Sequence, residues 1–350
     1  MNAEYHPNRG ALVRIAVTGA RGRVGRELVA ALDAEGHEVL ALDILPTRGD
    51  MGSSVTQRVV GLGDSGALAS ELAGIDVVAH LAAFMSWRAG DAERVFDANA
   101  TGTFHLLRAA ATADVQRVVF ASTGEVYPEN KPQYVPLDED HPTLPATVYG
   151  LTKLIGEQMV EFFARTTEME TVILRFSHTQ DAAELLDETS PFSGPRFFLK
   201  RRIEQQVSAG NDAAVAALMA ADHGGTQLVV ARGEDGTSYR MGICDTRDLV
   251  AGIVLAITQP DAAGQVFGIG PDEATSMDQI VPAMAEMTGL PFVDVRLPGA
   301  AVNYETSNQK ARDVLGFRPH WPTTSMLDEA HKLWRSRQRN TSVSTTTNGK

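Results

Sequence analysis

Cysteine is almost missing from this chain: of 350 residues, only Cys244 carries a thiol. A single thiol excludes an intramolecular disulfide and fits a reducing compartment. Long apolar runs are missing as well. None approaches the ~18 consecutive apolar residues of a membrane-spanning helix. The longest candidate, AAVAALMAA at 213–221, is flanked by Asp212 and Asp222 and reads as a packed helix. The opening MNAEYHPNRG lacks the charged-then-apolar order of a signal peptide. Net charge is −13 with no long block of either sign, and no basic stripe suited to nucleic acid is visible. The nine histidines are scattered, with no H-x-x-x-H or Cys/His pairing at ligand spacing, so no metal site is expected. There are no internal repeats. These absences point to a cytoplasmic protein whose partner is a small molecule, not a membrane or nucleic acid.

What is present is a rhythm. LVRIAV (12–17), HEVLALD (37–43), IDVVAHLAA (75–83), VQRVVFAS (115–122) and TVILRF (171–176) are short and nearly continuously apolar. Amphipathic stretches separate them, among them VGRELVAALDAEG (24–36), a long helix over 92–113 and another over 149–166. Buried strands alternating with helices are the signature of a parallel sheet covered on both faces. The expectation is α/β: a Rossmann-type doubly wound parallel sheet. After residue 176 the rhythm breaks into a Pro/Gly-punctuated loop, two helical stretches and an expected hairpin with arms QLVVAR and SYRMGI. A helix over 246–258 follows, and QVFGIG (265–270) reads as a strand rejoining the sheet. This predicts a dinucleotide-binding domain over 11–176 plus about 241–270. A smaller, discontinuous C-terminal substrate lobe takes 177–240 and 271–330, with tails at 1–10 and 336–350 that are polar and expected to be flexible.

Between the first strand and first helix lies TGARGRVG (18–25), a G-x-x-G-x-x-G run with Gly19, Gly22 and Gly25. Such a run gains meaning from its position after a strand and at the opening of a helix. Glycines let the backbone turn tightly and approach a pyrophosphate, which rests on the free N–H groups of the helix N-terminus. Asp43, at the end of the second strand, stands where an acid accepts hydrogen bonds from an adenosine ribose and repels a 2′-phosphate, favouring NAD over NADP. Arg21, Arg23 and Arg48 are near enough in sequence to pair with an extra phosphate. Asp64, in GLGDSGAL, either meets the adenine edge or caps the following helix.

Further along, YGLTK (149–153) sets Tyr149 four residues before Lys153, on one helix face. TGARGRVG, Asp43, HLAA (80–83), Asn99, FASTGEVY (120–127), Tyr149…Lys153 and KARDVLGFRPHWP (310–322) stand in the order of the extended short-chain dehydrogenase/reductase family, which this chain resembles over roughly 12–330. The resemblance implies a catalytic set of Thr123, Tyr149 and Lys153, with Ser122 a neighbouring rival for the hydroxyl role. It implies cofactor contacts from Gly19, Arg21, Gly22, Arg23, Val24, Gly25, Asp43, Asp64, Leu81, Ala82, Ala83, Asn99, Tyr149 and Lys153. Asn99 would brace the backbone of neighbouring strands. To act as a base at neutral pH a phenol must give up about 4 kcal/mol of proton affinity. Lys153 and the oxidised nicotinamide ring are the cations expected to supply that.

Within that family, departures narrow the reaction. Dehydratases follow the hydroxyl residue with Asp and Glu, whereas this chain reads Gly124 and Glu125, so elimination lacks its proton donor. Nucleotide-sugar epimerases carry L-R-x-x-N and an arginine ahead of K-A-x-x-x-L-G. Here the first reads Leu174-Arg175-Phe176-Ser177-His178, and 298–311 contains no arginine. Bidentate arginine recognition of a diphosphate is hard to replace, leaving Arg196, Arg201, Arg202 and Arg240 as substitutes. The expected activity is NAD-dependent interconversion of a secondary alcohol and a ketone on a polar, carbohydrate-like small molecule. The alternatives are an NAD-retaining sugar or nucleotide-sugar epimerase and a non-catalytic dinucleotide sensor. Ser86, Glu125 and His178 are candidate substrate contacts, His178 equally a packed core histidine. The resemblance also implies a homodimer, for which Met159, Phe162 and Phe163 supply a seam or simply core.

Overall fold

The computed structural model describes residues 12–46, 51–128 and 131–346. Arg48 therefore lies outside the described residues. Fourteen strands can be numbered along them: β1 (Arg14–Thr18), β2 (Glu38–Asp43), β3 (Val55–Val59), β4 (Val77–His80), β5 (Arg117–Thr123), β6 (Glu170–Phe176), β7 (His178–Gln180), β8 (Leu228–Arg232), β9 (Arg240–Met241), β10 (Ile243–Asp245), β11 (Gln265–Ile269), β12 (Thr275–Ser276), β13 (Phe292–Arg296) and β14 (Asn303–Tyr304). Seven of them form the main sheet in the order β11-β6-β5-β4-β1-β2-β3, and every pair in it is parallel. The chain winds outward from β1 to β3, then returns to β4 on the other side and winds to β6. The strand order thus reverses between β1 and β4, where an open α/β sheet forms its ligand crevice.

Alternation along the strands feeds two cores. Ile15 and Val17 join Leu28, Leu32, Leu249 and Ile253 on one face. Ala16 joins Leu68, Leu106, Leu107, Val160 and Phe163 on the other. The helices Arg23–Ala34 and Thr246–Thr258 cover the first face; Ser65–Glu71, Gly102–Thr112 and Val148–Thr166 cover the second. β11 rejoins the sheet beside β6, in the register Phe267↔Leu174, as the sequence leads one to expect. A third apolar cluster draws on Leu185, Phe197, Leu218, Val229, Met277, Val281, Tyr304 and Met326, all beyond residue 176.

Three expectations need correction. The hairpin forms only at its turn, through the bridge Arg232↔Ser238. Its arms then separate, β8 pairing with β13 and β9 with β12 and β14. Turn chemistry is local, but burial of the arms against other strands decides their partners. The long helix over 92–113 is interrupted by a π turn at Asp97–Thr101, a bulge type found often at functional sites. Finally, the last helix continues from Thr323 to Thr346, across polar residues expected to be flexible.

Candidate active site

The glycine run turns as a phosphate loop must. Gly19 has φ +70, the left-handed region that favours glycine, and a Cβ there would lie 2.8 Å from the Ala82 backbone. A Cβ on Gly25 would overlap the carbonyl oxygen of Gly19. Gly22 is the N-cap of the helix Arg23–Ala34, no side chain caps that helix, and its first turn holds no acid. The helix therefore opens on bare amides next to the segment that follows β4, and the positive end of its dipole is unopposed. Asp43 accepts from the Arg21 N–H (3.0 Å) and the Leu45 N–H (3.2 Å), so its carboxylate is held at the edge of this loop. The cradle fits a dinucleotide.

Other expected cofactor contacts fall into place less evenly. Val24 packs partly into the core beside the loop. Leu81 and Ala82 are half-buried and Ala83 is exposed; the Ala82 N–H donates to Thr18 Oγ1 (3.2 Å). Asp64 is the N-cap of Ser65–Glu71, its Oδ1 accepting from Gly66 and Ala67 at 3.0 Å, which is the capping alternative. Arg23 does not turn toward a ribose phosphate. Its guanidinium donates to the Thr179 carbonyl (3.0 Å) and Glu184 (2.6 Å), lies 3.6 Å from Asp181 and rides over the Phe192 ring at 4.8 Å.

A buried polar chain runs beneath the crevice, and most of it is invisible to sequence patterning. His80, fully buried, meets Thr18 Oγ1 (2.8 Å) and Thr103 Oγ1 (3.0 Å), and burial, with Lys153 nearby, pushes its pKa down to about 3. Thr103 in turn donates to the Asn99 carbonyl (2.5 Å). Asn99 accepts from the Phe84 N–H (2.7 Å) and donates to the Phe84 carbonyl (3.0 Å) and Thr152 Oγ1 (3.2 Å), while Thr152 donates to the Tyr149 carbonyl (2.8 Å). Asn99 thus braces the segment after β4 against the helix that carries Tyr149. The π turn places its side chain where one regular helix would not.

Tyr149 and Lys153 lie on the buried face of Val148–Thr166, with only 8% and 3% of their surfaces exposed. Lys153 Nζ donates to the Ala121 carbonyl of β5 (2.7 Å) and stands 6.0 Å from the Tyr149 ring. Burial lowers its pKa from 10.5 to about 8, partly opposed by Glu157. For Tyr149 the direction is opposite to expectation. Burial first, and the Glu125 carboxylate second, raise it above the ordinary phenol value. The protein's own groups hold this phenol protonated, burial and the Glu125 carboxylate both disfavouring the phenolate.

The depressed lysine gives a stability prediction. Between pH 8 and 10.5 the unfolded chain binds a proton at Lys153 that the folded chain has released, so this group's contribution to stability rises with pH across that window. Below pH 8 the burial cost stands in full, on the order of 3 kcal/mol. Lys153→Met is expected to gain most over the wild type at or below pH 8, and to lose that advantage toward pH 10.5. Urea denaturation at the two ends checks it; a difference independent of pH would contradict the burial of a charge here.

Thr123 ends β5, and its Oγ1 accepts from the Glu125 N–H (3.2 Å), capping the short turn Gly124–Val126. Ser122 faces the other way and donates to Glu157, inside the sheet's cover. Glu125 accepts from the Trp87 indole (3.1 Å) and Thr147 (2.6 Å), and burial raises its pKa. The Trp87 ring is 6.4 Å from that of Tyr149. Ser86 is drawn aside to Asp91 (2.6 Å). The His178 ring packs against that of Tyr304, centroids 4.5 Å apart and planes tilted by 44°, and burial and Arg196 keep it neutral. Of the substrate candidates, the structure therefore brings Glu125 to Tyr149 through shared neighbours, and leaves the Ser86 hydroxyl occupied. The strand arginine, Arg175, is buried against Glu157, Tyr127 and the Glu139 carbonyl.

A sequence model of the NAD dependent epimerase/dehydratase family matches residues 15–270. The chain belongs to that family. It is an enzyme of the short-chain dehydrogenase/reductase type, as the order of motifs implies. It is 28% identical over 334 residues to UDP-glucose 4-epimerase of Halalkalibacterium halodurans, covering 91% of this chain and 95% of that one. It is 31% identical over 188 residues to L-arabinose 1-dehydrogenase (NAD(P)(+)) of Haloferax volcanii, covering 51% and 71%. A crystal structure of a short-chain dehydrogenase/reductase superfamily protein from Agrobacterium tumefaciens with bound NAD superposes with a TM-score of 0.88 at 50% identity, over 94% of this chain and 99% of the other. No helix among the described residues is long and apolar enough to cross a membrane.

Proposed function

We propose that this enzyme uses NAD to interconvert a secondary alcohol and a ketone on a polar, carbohydrate-like small molecule. The observation that carries the reading is the burial of Tyr149 and Lys153 together, Lys153 bonded to β5 near its carboxyl end, in a fold whose glycine loop opens onto bare helix amides. Gly19, Arg21, Gly22, Val24 and Gly25 would hold the pyrophosphate through their backbone. Asp43 would accept from the adenosine ribose, and Lys153 would hold the nicotinamide ribose. When bound, NAD supplies the hydride acceptor and a positively charged ring. Thr123 holds the substrate oxygen. Tyr149, kept protonated by its surroundings, donates its proton to a ketone oxygen during reduction and takes it back during oxidation. Residues 177–240 and 271–330 would form the substrate lobe.

A free sugar or sugar acid is favoured over a nucleotide sugar because the arginines that could clamp a diphosphate are engaged. Arg196 donates to Gln180 Oε1 (3.0 Å), Arg201 pairs with Glu204, Arg240 with Glu305, and buried Arg202 donates to main-chain carbonyls. Arg175 is locked to Glu157. A second reading, epimerisation with retained NAD, draws support from likeness to an epimerase along nearly the whole chain. Incubating the protein with added NAD and L-arabinose or D-galacturonate, and separately with UDP-glucose, tests the two. NADH accumulation with a ketone product from a free sugar supports the first reading, whereas a lactone product would move the oxidation to the hemiacetal carbon. Tightly held NAD, no NADH and conversion of UDP-glucose would replace it with the second.

The helices Gly102–Thr112 and Val148–Thr166 lie side by side and expose Phe104, Leu151 and the half-exposed Phe162, whereas Phe163 is buried in the core. This face would form a homodimer seam. Phe162→Asp is expected to halve the mass seen by light scattering; an unchanged mass would move the interface elsewhere or remove it.

A further inference from the structure

Tyr304 comes from the far lobe, yet its hydroxyl lies against the turn that carries Thr123. A Cβ added to Gly124 would overlap Tyr304 Oη and lie 2.6 Å from Cζ. Gly124 is the middle of the short turn in which the Thr123 hydroxyl accepts from the Glu125 N–H. The phenol therefore lies against the main chain between Thr123 and Glu125, the second of which acts on Tyr149 through its charge. Its own position is fixed tightly. Tyr304 is 1% exposed, and its ring packs at a tilt against His178. Its carbonyl accepts from the Gly242 N–H (2.7 Å), and that of Glu305 accepts from the Leu137 N–H (2.7 Å). One short segment is thus stitched both to the lobe and to the loop that leads into the Tyr149 helix.

We propose that Tyr304 is a positioning residue for the reaction, acting through Gly124. Its hydroxyl sets the height of the Thr123 turn, and so the placement of the Thr123 oxygen relative to Tyr149. This rests on the roles given to Thr123 and Tyr149 above. It also assigns a reason to the glycine at 124: the volume that a side chain would fill is taken by a residue from the other lobe. A side chain at 124 would overlap Tyr304 where it now stands, so the lobe disfavours the proton donor that elimination would need.

The test compares Tyr304→Phe with the wild type, using L-arabinose and D-galacturonate as probes, alongside Tyr149→Phe as control. Misplacement of a reacting group by a fraction of an ångström is costly. The expected result is a fall in kcat of about tenfold or more for Tyr304→Phe, corresponding to ~1.4 kcal/mol of barrier. KM and NAD affinity are expected to stay within threefold, with the thermal midpoint little changed. Wild-type kcat in Tyr304→Phe overturns the proposal. If instead the thermal midpoint drops sharply, the cycle Gly124→Ala, Tyr304→Ala and the double variant decides. Gly124→Ala is expected to lose most of its kcat, and Tyr304→Ala to restore part of it by making room; strictly additive losses overturn the proposal. Activity surviving in Tyr149→Phe would bring down the reading of the site itself. An inactive Tyr149→Phe beside an unaffected Tyr304→Phe would bring down only the role of Tyr304.

Discussion

Tyr149→Phe is expected to lower turnover by between about 10²- and 10⁴-fold, the range that general acid–base groups contribute. NAD affinity should remain within about twofold, because the ring stays and only the hydroxyl goes. The expectation follows from where the proton resides. Burial and Glu125 raise the Tyr149 pKa, so the protein alone presents a neutral phenol, a donor and not a base. In the proposed reaction, reduction of a ketone would have its proton ready, while oxidation would require the positive charge that oxidised NAD brings. Turnover of the wild type in the oxidative direction should accordingly climb with pH further into the alkaline range than in the reductive direction. Paired initial rates from NAD and NADH across pH 6 to 10 measure the difference, and a Tyr149→Phe variant within fivefold of wild type would end the mechanism.

The second large effect lies one layer deeper. Glu157 and Arg175 are 2% and 9% exposed and face each other through two bonds, Nε to Oε1 at 3.0 Å and Nη2 to Oε2 at 2.8 Å. Ser122 donates to the same carboxylate, and Arg175 also reaches Tyr127 Oη at 3.0 Å. Removing the acid alone strands a guanidinium in the interior. Glu157→Ala should therefore destabilise the fold by about 3–5 kcal/mol, the typical cost of breaking a buried pair. Replacing both partners by methionine should cost less than the single change, since no charge is then left uncompensated. Urea titrations of the three proteins check the order. A single variant within 1 kcal/mol of wild type would mean that water already reaches the pair. The strand arginine, in this account, serves the interior and not a diphosphate.

Much of this arrangement is legible in the sequence because it is local or periodic. Gly19, Gly22 and Gly25 announce a turn between a strand and a helix, and a four-residue spacing puts Tyr149 and Lys153 on one helix face. Even the rejoining strand at 265–269 shows as an apolar run. What escapes is decided by meetings between distant segments. Nothing near Gly124 says that Tyr304 will lie upon it, and nothing near Arg23 says that Glu184 will claim its guanidinium. The hairpin turn was readable, but the partners of its arms were not, since burial against β13 and β14 outweighs a local turn. The direction of the Tyr149 pKa escapes for a related reason. Spacing reveals the nearby ammonium, whereas desolvation depends on everything packed around the ring.

The order of strands also bears on how the polypeptide is made. β11, which closes the sheet beside β6, leaves the ribosome only after residues 177–264 have emerged. Until then the main-chain groups along that side of β6 have no partner strand, a bare edge of the kind that invites pairing with other chains. A product cut short before Gln265 would keep the glycine loop and the tyrosine helix and still carry this exposed flank. Once β11 is made, the edge of the sheet passes from β6 to β11.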